Sequence, residues 1–277
     1  MATFEQLTKA LPKDRLMIVD ALNLCFRWKH KGATVFAKEY MDTVESLARS
    51  YECGNIVIAA DWGGSSYRRA VYPEYKAHRK ELYKDQSEEE KEEARKFFEE
   101  YDRTLDALDE KGYPVLRYKG VEADDIAAYL VANRETYLFS HIWLISSDRD
   151  WDLLINDNVS RFSYVTRKEQ TVDTWDNPVP IDKYISYKCL IGDSGDNIPG
   201  IKGVGPKRAQ TLIEDYGDAL EIYAQCPLPG KYVYIKNLNE NAEQIFINYQ
   251  LMDLLSTYEE AIGQENINDI HKRMINI

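Results

Sequence analysis

Apolar runs in this chain end repeatedly on carboxylates. LMIVD closes on Asp20, IVIAAD on Asp61, and IWLISSDRD on Asp148 and Asp150, while VLRYKGVEADD brings Glu122, Asp124 and Asp125 and IGDSGDN adds Asp193 and Asp196. The short apolar stretches at 16–20, 55–61, 115–118, 142–147 and 159–165 read as strands, and helical patterns such as VFAKEYMDTVESLARSY and DDIAAYLVANRETYL separate most of them. This alternation predicts βαβ units around a parallel sheet. In an open sheet of that kind the carboxyl ends of the strands share one edge, where ligands bind, so the acids should converge in space. Clustered carboxylates repel one another and must take up protons or bind hard cations. The second outcome makes the chain a metal enzyme.

Each acid also has a simpler reading. Asp20 and Asp61 can cap the helices that follow, Asp148 and Asp150 can cap a turn, Glu122, Asp124 and Asp125 can complement a helix dipole, and Asp193 and Asp196 can serve an Asx turn. The joint pattern favours metal. The chain has only four His, and its four Cys are far apart with no CxxC pair, so nitrogen- or sulfur-rich sites are not signalled and oxygen-bound Mg²⁺ or Mn²⁺ suits the residues better. No apolar run approaches membrane-spanning length, and the opening MATFEQLTKALPKDR has no continuous apolar segment, so an intracellular, soluble protein is expected.

A net charge of −12 seems to argue against nucleic acid, but the acids concentrate in the proposed pocket and in the solvated run SEEEKEE. What matters is local clustering of cations. In IKGVGPKRA, Gly203 and Gly205 flank a tight turn, Pro206 suits a first helical position, and Lys207 and Arg208 follow. Such a turn offers backbone N–H groups and a helix N-terminus to a phosphate, the pattern of a helix–hairpin–helix that grips duplex without reading bases. An ordinary interhelical turn is the alternative. In YPEYKAHRK, Lys76, Arg79 and Lys80 are spaced to share a helical face beside Tyr75, which suits single-stranded nucleic acid and equally suits a solvated helix. This segment belongs to a charged stretch, from about 67 to 111, expected to be largely helical with a first half that projects from the body. DNPVPI, at 176–181, marks a domain boundary, beyond which the patterns are helical.

Taken in order and spacing, VDALNLCFR, YPEYKAHR, VEADD, SSDRDWD, GDSGDN and GIKGVGPKR resemble the 5′ nuclease (flap endonuclease/5′–3′ exonuclease) family, in its stand-alone phage form, over nearly the whole chain. The resemblance implies a PIN-like α/β nuclease domain at 1–180, a helical arch at 67–111, and a helical DNA-binding domain at 181–277 with a helix–three-turn–helix (helix–hairpin–helix). It implies Asp20, Asp61, Glu122, Asp124 and Asp148 as ligands of a first metal, and Asp125, Asp150, Asp193 and Asp196 as a second, distal group. It makes Lys76 the arch lysine on the scissile phosphate, Arg79 a second arch cation, Tyr75 a stacking residue, Arg27 a basic residue near the reacting strand and Lys188 a duplex-contacting lysine. It also brings a K⁺ ion held by backbone carbonyls at the turn of Gly203 and Gly205.

The expected reaction is two-metal cleavage of phosphodiesters to leave a 5′-phosphate and a 3′-hydroxyl. The expected substrates are 5′ flaps, branched duplexes and single-stranded 5′ ends, taken without regard to sequence by a monomer, in the cytoplasm of an infected bacterium for a phage-encoded chain. A Toprim domain would leave Asp20, Asp61 and the hairpin unexplained, and a haloacid-dehalogenase-like phosphatase needs Asp-x-Asp where Asp20 is followed by Ala21 and Leu22. A non-catalytic branched-DNA-binding protein keeps the hairpin but predicts gaps in the acid set, and none is visible.

Overall fold

The computed structural model describes residues 11–277, and most of the opening stretch read above for a targeting signal lies outside them. Six strands form one sheet in the order β3-β2-β1-β4-β5-β6: β1 (Arg15–Asp20), β2 (Asn55–Ala60), β3 (Val115–Arg117), β4 (His141–Ile145), β5 (Val159–Ser163) and β6 (Lys168–Gln170). The first five pair in parallel, and β6 runs antiparallel to β5. β1 and β2 are buried over their last five residues, which is why LMIVD and NIVIAA read as unbroken apolar runs rather than alternating ones. The edge strand β6, KEQ, has no apolar run at all.

Helices cover both faces. Met17 and Val19 face helices α1 (Ala21–Lys29), α2 (Ala37–Ser50) and the second half of a long helix given below, whereas Leu16 and Ile18 face α6 (Ala123–Ala132). The charged stretch after β2 makes three helices: α3 (Ser66–Val71), α4 (His78–Lys84) and α5 (Glu88–Glu110). Ser87 and Glu90 form a capping box at the start of α5, and Phe97, Tyr101, Leu105 and Leu108 bury its later turns. The first half of this stretch does not simply project. Arg68 and Tyr75 are buried, and the solvent-facing limb is α4 with the first turns of α5.

A third apolar cluster is built by α7 (Tyr184–Ile191), α8 (Pro206–Tyr216), α9 (Ala219–Gln225), α10 (Val233–Glu240) and α11 (Ala242–Met252), and Tyr75 packs into it. The last two helices, α12 (Leu254–Ile262) and α13 (Gln264–Met274), return to the sheet: Leu254, Ile262, Ile270 and Met274 join the layer formed by Leu16, Ile18 and α6. No helix among the described residues is long and apolar enough to cross a membrane.

Candidate active site

β1 lies between β2 and β4, where the strand order reverses, and acids gather at the carboxyl ends of these strands. Asp20 ends β1 and caps α1, accepting the Asn23 N–H at 3.2 Å, while Ser146 Oγ donates to its other oxygen at 2.6 Å. Asp61 follows β2 and accepts the Ala123 N–H at 3.0 Å. Glu122 stands at the N-cap of α6, and Asp124, in the first turn, accepts the Trp151 indole N–H at 2.6 Å. Asp148 follows β4 and caps a 3₁₀ turn, Arg149–Leu154, accepting the Asp150 N–H at 2.9 Å. These five acids, with Lys76 and Arg79, line one cleft of about 610 Å³.

The acids hold protons more tightly than free carboxylates do. Burial, reinforced by Asp61 and Asp148, pushes Asp20 up to about 8. Burial and the charge of Asp150 push Asp148 up to about 6. Asp61 and Asp124 are raised as well, burial again being the first cause. Glu122 moves the other way. Burial alone would raise it, but Lys76 and Arg68 outweigh burial and lower it. Among the described residues no three His, Cys, Asp or Glu side chains already enclose one point. The acids line one cleft as hard oxygen donors, oriented by N–H and O–H groups, a donor chemistry that suits an ion keeping several waters. A divalent cation would offset both the burial of charge and the lesser mutual repulsion that raise these values.

The distal acids have protein cations in place. Lys188 Nζ bridges Asp150 and Asp193, lying 3.2 Å from the latter, in a second cleft of about 580 Å³ that shares Asp148 with the first. Asp196 meets Arg79 at 2.9 Å and Lys76 at 3.4 Å. Lys76 also reaches Glu122 at 2.9 Å, so one ammonium spans both groups of acids.

The turn at Ile201–Gly205 leads into α8, with Gly205 at the N-cap, no capping side chain and Pro206 at the first helical position. Lys202, Lys207 and Arg208 are exposed around it. Gly203 has φ +86°, a left-handed value that a side chain resists, whereas Gly205 has an ordinary φ of −101° and open space around it.

Two family models match the chain: the 5′–3′ exonuclease N-terminal resolvase-like domain over residues 15–179, and the 5′–3′ exonuclease C-terminal SAM fold over residues 179–272. The flap endonuclease of Escherichia phage T5 is 41% identical over 280 residues, covering 99% of this chain and 96% of that one. The chain belongs to the 5′–3′ exonuclease family. A structure of the T5 flap endonuclease in a pseudo-enzyme–product complex with DNA and metal ions matches with a TM-score of 0.88 at 41% identity, over 95% of this chain and 98% of that one. A T5 5′-exonuclease structure with bound divalent zinc matches equally, at TM-score 0.88 and 41% identity over 95% and 99%. The chain is thus a flap endonuclease/5′–3′ exonuclease, a metal-dependent nuclease hydrolase.

Within this exonuclease several expected site residues sit elsewhere. Asp125 is not in either cleft: both its oxygens accept Arg68 N–H groups, at 3.0 and 2.8 Å, in a fully buried pair. Tyr75 is 3% exposed, and its one hydroxyl proton lies between two carboxylates, Glu122 at 2.9 Å and Asp196 at 3.1 Å, so its ring is packed away and its hydroxyl faces acids. Lys188 is 6% exposed and is committed to Asp150 and Asp193 rather than turned outward to a duplex. Arg27 leaves the cleft to lie 4.3 Å from the Tyr164 ring centre, with its guanidinium also donating to Thr43 at 3.3 Å. Lys76 does not share a helical face with Arg79. It precedes α4 with φ +54°, and its N–H donates to the Asp196 carbonyl at 2.9 Å. The side chain of Lys80 lies outside the described residues. At the turn expected to hold K⁺, the carbonyls of Lys202 and Gly203 accept Asn237 (2.8 Å) and Arg208 (2.5 Å).

The residue most clearly missed is Arg68. It pairs with Asp125, donates to Glu122 at 3.1 Å, and donates to the Leu251 carbonyl at 2.8 Å. Nothing in SYRRA separates it from Arg69, which instead serves the Gly63 and Gly64 carbonyls. Ser146 and Trp151, which orient Asp20 and Asp124, flank SDRD and were readable only as part of a turn.

Proposed function

We propose that the chain cuts 5′-flapped and branched DNA, and single-stranded 5′ ends, by hydrolysis with two Mg²⁺ or Mn²⁺ ions, leaving a 5′-phosphate and a 3′-hydroxyl. Asp20, Asp61, Glu122, Asp124 and Asp148 would hold the proximal ion, and Asp150, Asp193 and Asp196 would hold the distal one. The observation that carries this reading is the meeting of acids from separate strand ends in one cleft, with Asp20 and Asp148 raised to about 8 and about 6. When bound there, a divalent ion supplies Lewis acidity toward phosphoryl oxygens and eases deprotonation of an attacking water.

The chain's own residues do the rest. Burial opposes the charge of Lys76, but Glu122 and Asp196 outweigh it and raise its pKa, so it stays an ammonium. Lys76 and Arg79 line the same cleft as the carboxylates and are placed to neutralise charge growing on the scissile phosphate, a contribution of the order of 10²–10³ in rate. Tyr75 and Arg68 hold Glu122 in place. The turn before α8, with Lys207 and Arg208, takes the duplex backbone without reading sequence. We place the division between the nuclease unit and the helical DNA-gripping unit near residue 180. The enzyme works as a monomer in the cytoplasm of its host cell.

The test is a 5′-labelled flap substrate with and without Mg²⁺, resolved by product length, for the wild type and Asp148→Asn. Cutting should require the metal and nearly vanish in Asp148→Asn, with DNA binding retained. Near-normal cutting by the variant would overturn the two-metal reading.

A further inference from the structure

The catalytic cleft has a second half. Besides the carboxylates it is lined by Leu22, Phe26, Trp62, Phe98 and Tyr101. Trp62 is 49% exposed and Phe98 45%, and neither belongs to a core cluster. A large indole half in solvent beside Asp61 is not explained by packing.

Its placement is nonetheless fixed. The Trp62 N–H donates to the Val121 carbonyl at 3.3 Å, and its own carbonyl accepts the Gly120 N–H at 2.7 Å. Gly63 and Gly64 follow, both with positive φ, and no heavy atom lies within 4 Å of where a Cβ of Gly63 would be. The Arg117 guanidinium stands 5.6 Å from the ring centre and is itself held by Asp102 at 2.9 Å. Arg69 is turned to the carbonyls of Gly63 and Gly64. The cleft therefore pairs an anionic, cation-seeking wall with an aromatic one on a pinned backbone.

We infer that this aromatic wall, with Trp62 as its platform, is a nucleobase subsite that holds the unpaired base next to the scissile phosphate. The inference rests on the function proposed above. A nucleotide has the matching two-part chemistry: its phosphate belongs with Lys76, Arg79 and the ions, and its flat base belongs on the indole. Stacking of this kind is worth a sizeable factor per base and tolerates any base, because every base has a π-face. It positions the strand so that the phosphate, not a neighbour, meets the carboxylates.

The experiment pairs Trp62→Ala and Trp62→Phe with two flap substrates, one intact and one abasic at the nucleotide beside the scissile bond. Single-turnover rates in Mg²⁺ and affinities in EDTA are read for each. On the intact substrate Trp62→Ala should lose roughly ten- to a hundredfold in rate, and Trp62→Phe should keep most of it. The wild type should lose a similar factor on the abasic substrate, where Trp62→Ala should lose nothing more. Affinities should follow the same pattern. Losses that multiply between variant and abasic site, or an alanine variant that cuts intact flaps at the wild-type rate, would overturn the subsite. A wild type that cuts neither substrate in Mg²⁺ would instead sink the proposed function itself.

Discussion

Asp20 concentrates the electrostatics of the site in one carboxyl. Its pKa is raised from 3.8 to about 8, so the stability it contributes is fully present below pH 3.8 and is lost as pH rises through about 8. The metal-free protein should therefore show a falling Tm across that window. Mg²⁺ binds the deprotonated form, so the rise in Tm on adding Mg²⁺ should grow with pH, and Asp20→Asn should flatten both trends. A metal-free Tm that climbs steadily toward pH 8 would contradict the assignment. Acids such as this one were legible because each closes an apolar run whose direction is dictated by the sheet. The fate of Asp125 was not, since it depends on Arg68, fifty-seven positions away in sequence. The carboxylate partners of Lys188 and Tyr75 were not legible for the same reason: a side chain's type shows that it can meet a phosphate or a base, and only tertiary contacts show which acids it meets in the fold.

The turn into α8 separates two roles for glycine. At Gly203 the backbone itself demands glycine, because φ is +86°. At Gly205 the backbone does not, and a side chain there would meet open space. Gly203→Ala should lower stability by about 1 kcal/mol in chemical denaturation. Gly205→Val should leave stability nearly unchanged while weakening binding to duplexes of any sequence, because the branch would stand where a phosphate approaches. Lys207→Ala should reduce the slope of log Kd against log salt by about one. A Gly205→Val protein with wild-type affinity would remove this turn from the DNA path. Among elements, the five parallel strands were legible from short runs rich in Val and Ile or aromatic residues. The strand Lys168–Gln170 was not, since a charged edge strand carries no apolar pattern. The chain around Arg68 and Tyr75 was expected to project because its composition is polar. It is buried because those polar groups find one another.

Arg68 links the whole molecule. Its guanidinium reaches Glu122 and Asp125 in the nuclease layer and the Leu251 carbonyl at the end of α11. Removing one member of a buried ion pair strands the others, so Arg68→Met should cost about 3–5 kcal/mol in denaturant unfolding. Asp125→Leu should also destabilise, yet the double variant Arg68→Met/Asp125→Leu should recover part of the loss. Additive losses in the double variant would show that the two residues act apart. The return of Leu254–Met274 to the sheet carries a further consequence for anyone recombining such enzymes. The obvious cut, where the two family models meet at residue 179, would leave a fragment whose Leu16 and Ile18 layer has lost part of its cover. A working chimaera must transplant the final two helices together with the front of the chain, and the exchangeable cassette is an internal one.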